Sequence, residues 1–334
     1  MRQGRQPLIW LHPRRAHAVG VTLAAAVLLN ACATGPSAAD RGDPPPKTKT
    51  STTTAAKDSH QVPTIVAAGD IACEPGSPVH DDQCRQADTA RLAQDLHPEA
   101  ILALGDLQYN EGNISDFNES FDHSWGALKD RIRPVPGNHE YRTPDAGGYF
   151  EYFGRTAGKP GAGYYSFDLG RWHLIALNSN CGELDVCGED SDQVRWLRRD
   201  LAKHPTACAL AFWHHPRFSS GRRHGGDDSV STLWRTLDDA GVDVVLTGHE
   251  HNYERFAPQD ADGQERQDGM REFVVGTGGS EFYGFGRAEP HSQARGSDSF
   301  GLLTLALRPD DYEWQFISIP SSSPYEDYGT ATCE

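Results

Sequence analysis

Five short apolar runs, each ending in a side chain that can carry charge or ligate a metal, constrain this 334-residue chain more than any other feature of its sequence. Thr64-Ile65-Val66-Ala67-Ala68 is followed by Gly69-Asp70, and Ala100-Ile101-Leu102-Ala103-Leu104 by Gly105-Asp106, with Tyr109 three residues on. Ile132–Val135 leads into Pro136-Gly137-Asn138-His139-Glu140. The run 209–213 leads into His214-His215-Pro216, and the run 242–246 into Gly248-His249-Glu250-His251. Runs so apolar are predicted to be strands covered on both faces.

Between them lie helical patterns. Residues 87–96 keep Ala90, Ala93 and Leu96 in register. Residues 191–204 offer Ser191 as an N-cap and place Val194, Leu197 and Leu201 on one face. A third helix is predicted over 232–240, stopping at Gly241. Strands alternating with helices imply an α/β fold. Residues 301–308 and 312–319 flank Pro309-Asp310-Asp311 and are predicted to form an antiparallel hairpin. The Gly- and Tyr-rich stretch 141–190 reads as long loops plus strands such as 172–177.

In an α/β sheet, ligands bind outside the carboxyl ends of the strands. Here successive strand ends deliver carboxylate, carboxylate, amide, imidazole and imidazole to that rim. Carboxylate oxygen and neutral imidazole nitrogen suit Zn, Mn and Fe. Asp70, Asp106, Tyr109, Asn138, His214, His249 and His251 are too many donors for one ion. They suit two ions about 3.5–4 Å apart with a bridging carboxylate, a pair that clamps an in-line phosphoryl displacement. His249 and His251 point the same way only in extended backbone, whereas a bent loop would let them serve different ions. Taken singly, each motif has an ordinary explanation as a turn or helix cap. Their joint order at strand ends points to a metal centre. His215 reads as structural, and Gly276-Thr277-Gly278-Gly279 as a turn, since no Gly-Lys-Ser/Thr follows to make a P-loop.

The N-terminus has a different logic. Arg2, Arg5, Arg14 and Arg15 precede an apolar stretch over 18–29, too short to span a bilayer and suited to an export signal. Leu29-Asn30-Ala31-Cys32 resembles a bacterial lipobox that would place a lipid on Cys32; plain cleavage in the Ala31-Cys32-Ala33 context is the alternative. Residues 33–62 are Pro-, Thr- and Ser-rich and read as a disordered tether, leaving 63–334 as the catalytic domain. The net charge of -16 excludes a protein that grips nucleic acid or anionic lipid through a basic face. Without residues 1–32 the balance is 27 basic against 47 acidic residues, or -20. Of seven cysteines, six then remain, an even set that in an exported chain suggests disulfides. Cys73–Cys84 and Cys181–Cys187 are the natural short pairs, leaving Cys208–Cys333, one connectivity among the 15 that six cysteines allow.

Together the five segments resemble the metallophosphoesterase (calcineurin-like) superfamily, and in it the purple-acid-phosphatase-like branch, over roughly residues 63–320. The branch is marked by a Tyr in the second block, here Gly105-Asp106-Leu107-Gln108-Tyr109. Most relatives carry Asp-x-His in the first block; this chain has Asp70-Ile71-Ala72, and Tyr109 would take the place of that missing His. Ala72 departs from the branch's usual Gly. The resemblance implies a four-layer αββα sandwich, two mixed β-sheets flanked by helices. It also implies Fe(III) held by Asp70, Asp106, Tyr109 and His251. A divalent ion (Zn, Mn or Fe) would be held by Asp106, Asn138, His214 and His249, with Asp106 as the bridge.

The implied activity is phosphomonoester hydrolysis of the acid phosphatase type, with metal-bound hydroxide as nucleophile. His139 would protonate the leaving alkoxide or stabilise its charge. His224, in the Gly- and Arg-rich loop 219–228, would contact substrate or else be a solvated loop side chain. The alternatives are a phosphodiesterase acting on nucleotides or glycerophosphodiesters, and a non-catalytic cell-surface binding protein on the same fold. Expected partners are a small phosphoester, no nucleic acid, and a membrane only through lipid on Cys32, in a bacterial cell-envelope lipoprotein or a secreted protein. The ions would outweigh the negative charge of their ligands by about one unit, so the site attracts phosphate inside an acidic chain.

Overall fold

A computed structural model describes residues 62–320 and 323–333. The export signal, Cys32 and all but the last residue of the expected tether lie outside the described residues. The first three apolar runs become β1 (Thr64–Ala68), β2 (Ala100–Leu104) and β3 (Ile132–Val135), parallel neighbours that are almost wholly buried. Next come β4 (Tyr165–Leu169), β5 (Trp172–Ala176), β6 (Cys208–Phe212) and β7 (Val244–Thr247). They are followed by β8 (Tyr253–Phe256), β9 (Arg271–Val275), β10 (Ser292–Gly296), β11 (Gly301–Leu307), β12 (Asp311–Ser318) and β13 (Glu326–Thr332).

These strands build two mixed sheets. One runs β13-β12-β11-β1-β2-β3 and the other β10-β8-β9-β7-β6-β5-β4. In the first sheet parallel pairing runs from β1 to the edge at β3 and antiparallel strands complete the other side, whereas in the second a parallel centre is flanked by antiparallel strands. The helices are α1 (Gln86–Leu96), α2 (Gly147–Phe153), α3 (Asp192–Lys203) and α4 (Ser231–Asp238), with a mixed run of short helical turns over 114–131. Ser191 caps α3 as expected, its side-chain oxygen accepting the Val194 N–H at 3.2 Å.

Packing gives the layers. Val194 and Leu197 of α3 and Leu233, Trp234 and Leu237 of α4 bury against Ala209, Ala211 and Val245 of the second sheet. A larger cluster joins residues of both sheets, such as Leu102, Leu246, Phe273 and Leu303, with Ala90 and Ala93 of α1 and with Trp125. Each large apolar side chain so buried contributes about 1.5–3 kcal/mol relative to exposure. The order is therefore helix, sheet, sheet, helix, the expected sandwich.

Some boundaries differ from expectation. β6 begins one residue earlier than the run 209–213, and β7 begins at Val244 because Asp243 turns back to accept the Ala209 N–H at 2.8 Å. The hairpin forms in the expected place, with Gly301 opposite Ser318 and Leu307 opposite Tyr312. The stretch 141–190 is more ordered than its composition suggested, holding α2 and the β4–β5 hairpin. All three disulfides form in the expected pairing. Cys208–Cys333 ties the first residue of β6, in one sheet, to the residue after β13, in the other.

Candidate metal centre

The carboxyl ends of β1, β2 and β3 in one sheet face those of β6 and β7 in the other, and every expected ligand lies where they meet. The loops after β1 and β2 keep pairing beyond the strands: Asp70 N–H donates to Gly105 O at 3.0 Å, and Ile71 N–H to Asp106 O at 3.0 Å. Asp70, Asp106 and His249 all turn into left-handed backbone, with φ of 60°, 49° and 72°. For residues other than glycine such backbone costs on the order of 1 kcal/mol or more, and it aims the three side chains off the strand ends. Gly105 has a φ of 81°, and a Cβ there would lie 2.6 Å from His214 Nδ1, so only glycine lets the two sheets approach this closely.

Two clusters result. In the first, Tyr109 OH donates to Asp70 Oδ1 at 2.9 Å and lies 2.9 Å from His251 Nε2, which is itself 3.2 Å from Asp70 Oδ1. In the second, His214 Nε2 lies 3.3 Å from Asp106 Oδ2, 3.2 Å from Asn138 Oδ1 and 3.1 Å from His249 Nδ1. Asp106 touches both, since its Oδ2 also accepts from Tyr109 OH at 3.3 Å. His249 and His251 thus belong to different clusters, as a bent loop requires.

The donor set fits cations. His214 Nδ1 is 2.8 Å from Leu104 O and His251 Nδ1 is 3.0 Å from Glu281 O, contacts that call for a proton on each Nδ1. Nε2 of each ring then faces oxygen acceptors. The His214 ring, facing Asp106 Oδ2 and Asn138 Oδ1, must take a second proton or give its lone pair to a metal. Burial pulls the His214 imidazole down, but the Asp106 and Asp70 carboxylates more than reverse this and push it up to about 9. The pocket therefore demands positive charge, and an ion can supply it in place of the proton. Burial, followed by the His214 and His215 rings, holds His249 well below the usual imidazole range, so it is the neutral form that ligates. Burial would raise Asp106, yet His214, His139 and His249 hold it well below the carboxylate range. Burial and the Asp70 and Asp106 charges raise the Tyr109 phenol well above its ordinary value, so a phenolate needs a cation beside it. Tyr109, Asp70, Asp106 and His251 would hold one ion. Asp106, Asn138, His214 and His249 would hold the other.

The remaining expected residues are also placed. His139 Nδ1 is 2.7 Å from Asn110 O, which leaves Nε2 facing Asp106 Oδ2 at 3.8 Å. His224 lies over the centre, its ring 4.2 Å from that of His249, and is largely open to solvent. His215 borders the second cluster, with a ligating nitrogen within 4.8 Å of those of His214 and His249, while its Nδ1 is 2.8 Å from Ser179 Oγ and its ring packs 4.5 Å from His249. The Gly276–Gly279 stretch is a tight bend that does more than turn the chain. It walls the centre, and a Cβ on Gly276 would lie 2.8 Å from Asp70 Oδ2.

Sequence reasoning missed the buried glutamates that brace these loops. Glu140 accepts four backbone N–H groups, from Asp106, Gly137, Leu107 and Gln108, at 2.9, 2.7, 2.9 and 3.3 Å. Burial and the Asp106 charge push it up to about 7, yet two N–H donors fill each oxygen, so it sits as a carboxylate. Glu272 accepts the Arg217 and Phe218 N–H groups at 2.9 Å each, fixing the loop after His214. Glu250 Oε1 accepts the Gly225 N–H at 2.7 Å and that of His224, fixing the loop over the centre. The one signal for two of them was position: Glu140 and Glu250 each sit beside expected site residues. Tyr283, stacked 3.7 Å from the His251 ring, had none.

A cavity of about 350 Å³ opens beside the first cluster, lined among others by Tyr109, His139, Arg142, Arg223 and Tyr283.

Purple acid phosphatase 18 of Arabidopsis thaliana is 28% identical over 223 residues, which is 60% of this chain and 45% of that protein. Purple acid phosphatase 21 of the same plant is 33% identical over 181 residues, 48% of this chain and 39% of its own. The chain thus spans less than half the length of these relatives. The solved purple acid phosphatase PPD1 from yellow lupin seeds shares the fold, with a TM-score of 0.66 at 23% identity over 81% of this chain and 54% of that one. The family model for calcineurin-like phosphoesterases matches residues 63–253, more than half of the chain and all five ligand-bearing strand ends. The chain belongs to the calcineurin-like phosphoesterase family.

Proposed function

We propose that this protein is an exported, dinuclear-metal phosphoric ester hydrolase, acting as an acid-phosphatase-type phosphomonoesterase on small phosphoesters. The observation that carries this reading is the convergence of acceptor atoms from both sheets on Asp106, which leaves two places for cations with one carboxylate between them. Fe(III) beside Tyr109 with a divalent Zn, Mn or Fe beside His214 suits the phenol on one side and the amide and imidazoles on the other. Bound there, two ions supply an acidified water as nucleophile and positive charge for the phosphoryl oxygens.

The chain's own residues do the rest. Asp106 fixes the spacing of the two clusters, with its other oxygen, Oδ1, accepting the His139 N–H at 2.8 Å. That bond also fixes the His139 backbone beside the bridging carboxylate. With Nδ1 held by Asn110 O, Nε2 is the atom that would give a proton to the leaving alkoxide or stabilise its charge. His224 would contact the substrate from the loop that Glu250 holds. The similarity to purple acid phosphatases over the catalytic segment supports this reading. Export is supported by the three disulfides, which belong to oxidising compartments, and by the N-terminal pattern, with lipid on Cys32 as the envelope anchor. No helix among the described residues is long and apolar enough to cross a membrane.

A phosphodiesterase on the same centre is the competing reading, and the cavity beside Tyr109 favours it because it could seat a second ester arm. The deciding measurement compares hydrolysis of an aryl phosphate with that of its bis-aryl diester, using protein loaded with defined metals. Faster turnover of the diester would replace the monoesterase reading. Absence of both activities in protein carrying two ions would favour a binding protein.

A further inference from the structure

The criterion that picks out His214, an imidazole with acceptors against both nitrogens, is met once more, at the far end of the second sheet. His173 on β5 is buried, with Nδ1 2.7 Å from Asp168 Oδ1 and Nε2 2.9 Å from Asp200 Oδ2. His173 pairs in register with Ala209 on β6, five residues before His214, so this cluster lies roughly 15 Å from the proposed catalytic centre.

A second imidazole joins it. Asp200 lies in the last turn of α3 and His204 directly follows the helix, four residues on, a spacing that puts both on one face. The His204 ring stacks on His173 with centroids 4.4 Å apart and 18° between planes. Its Nδ1 is 3.4 Å from Asp200 Oδ1 and 3.0 Å from the Asp200 carbonyl oxygen. Ligating atoms of His173, Asp200 and His204 all lie within 4.8 Å of one another, and turning the His204 ring out of its stack on His173 would let both rings aim a lone pair at one ion at about 2.0–2.2 Å. A cavity of about 500 Å³ lined by His204, Pro205, Thr206 and Ala209 reaches the cluster at His204.

We propose that His173, Asp200 and His204 form a third metal site, selective for zinc or a similar divalent ion, with Asp168 orienting the His173 ring. The roles divide by atom. His173 Nε2, an Asp200 carboxylate oxygen and His204 Nδ1 are the ligands; on binding, His204 shifts its proton to Nε2 and releases the Asp200 carbonyl. Asp168 keeps the proton on His173 Nδ1, the carboxylate–histidine–metal arrangement common around zinc. Two nitrogens and one oxygen with an open fourth position suit zinc. The site is independent of the phosphatase reading, since it shares no residue with the two rim clusters. In structural terms the ion would fasten the C-terminal end of α3 to β5.

The test uses the full mature chain, stripped by chelation, reloaded with zinc, freed of loosely held ion by gel filtration and analysed for metal by mass. The wild type should carry one more zinc per chain than His204→Gln, a change at a partly exposed helix end that spares the core. Asp168→Asn should weaken zinc binding at this site about 10–100-fold while leaving rim occupancy unchanged. A double change at the rim, Asp106→Asn with His214→Gln, should leave the third zinc in place. Equal zinc content in wild type and His204→Gln would overturn the proposal and leave His173 as a structural ring hydrogen-bonded between Asp168 and Asp200. Loss of the third zinc along with the rim ions would overturn it equally.

Discussion

The two sheets supply chemically different halves of the centre. Asp70, Asp106, Tyr109 and Asn138, all oxygen donors, follow β1, β2 and β3; His214, His249 and His251, all nitrogen donors, follow β6 and β7. Neither half can hold two ions alone. The oxygen side is fixed from within its own sheet by Glu140, which ties the loop after β3 to the loop after β2. The nitrogen side is fixed partly from across the gap: Leu104 O orients the His214 ring, and Asp70 Oδ2 accepts the His249 N–H at 2.9 Å. The loops after β2 and β3 are therefore braced within one sheet, while Asp70 and the histidines are held by contacts made when the sheets dock.

The largest effect should come from the residue both halves share. Asp106→Asn should lower kcat/KM for an aryl phosphate by at least 10³-fold, a loss on the order of the most a single transition-state donor costs, and should release both ions on dialysis. His214→Gln should release the divalent ion and keep the one beside Tyr109. Similar metal loss in the two variants would erase the distinction between the halves.

Next in size is the brace on the oxygen side. Glu140→Gln sets an amide NH₂ against two backbone N–H donors and should cost about 1–3 kcal/mol, seen as a lower Tm together with a fall in kcat. If only the Tm moves, the brace stabilises the fold without aiming Asp106. Tyr109→Phe should then remove the visible absorption band of the Fe(III)-loaded protein while lowering turnover less than Asp106→Asn. A colourless wild type that is fully active with Zn or Mn would break that assignment.

The smallest effect separates the two braces by pH. Burial pushes Glu272 from 4.5 up to about 8, and with three donors on its two oxygens it has room for a proton that Glu140 lacks. Because the folded value lies above the unfolded one, its contribution is fully present below pH 4.5 and lost as the pH rises through about 8. Tm should fall across that window, and Glu272→Gln should flatten the fall. An unchanged slope would mean that Glu272 stays ionised, like Glu140.

Most of the centre was legible because its residues terminate apolar strands, and the strand pattern is local. Asp70, Asp106, Asn138, His214 and His249 were placed by counting from the ends of such runs. The α3 helix was equally plain, with Ser191 as its cap and one apolar face. The braces were not, because Glu140, Glu250 and Glu272 read as ordinary surface charge until a distant loop covers them. The helix α2 was hidden for a local reason: it opens on two glycines and has no side-chain cap. β13 alternates polar and small residues with little apolar signal, and only its pairing with β12 makes it a strand. Tyr283 stacks on His251 through long-range packing, to which the intervening sequence gives no clue.

The Cys208–Cys333 bond acquires a further meaning from this division. It closes a sequence separation of 125 residues and, by loop entropy, restricts the unfolded chain by on the order of 4–5 kcal/mol. It also rivets the two sheets together at the end away from the rim, so the sandwich behaves like a clothes-peg whose jaws carry the ligands and whose spring is covalent. Reducing that one bond should free the C-terminal strand's end from β6 and loosen the sandwich at its base.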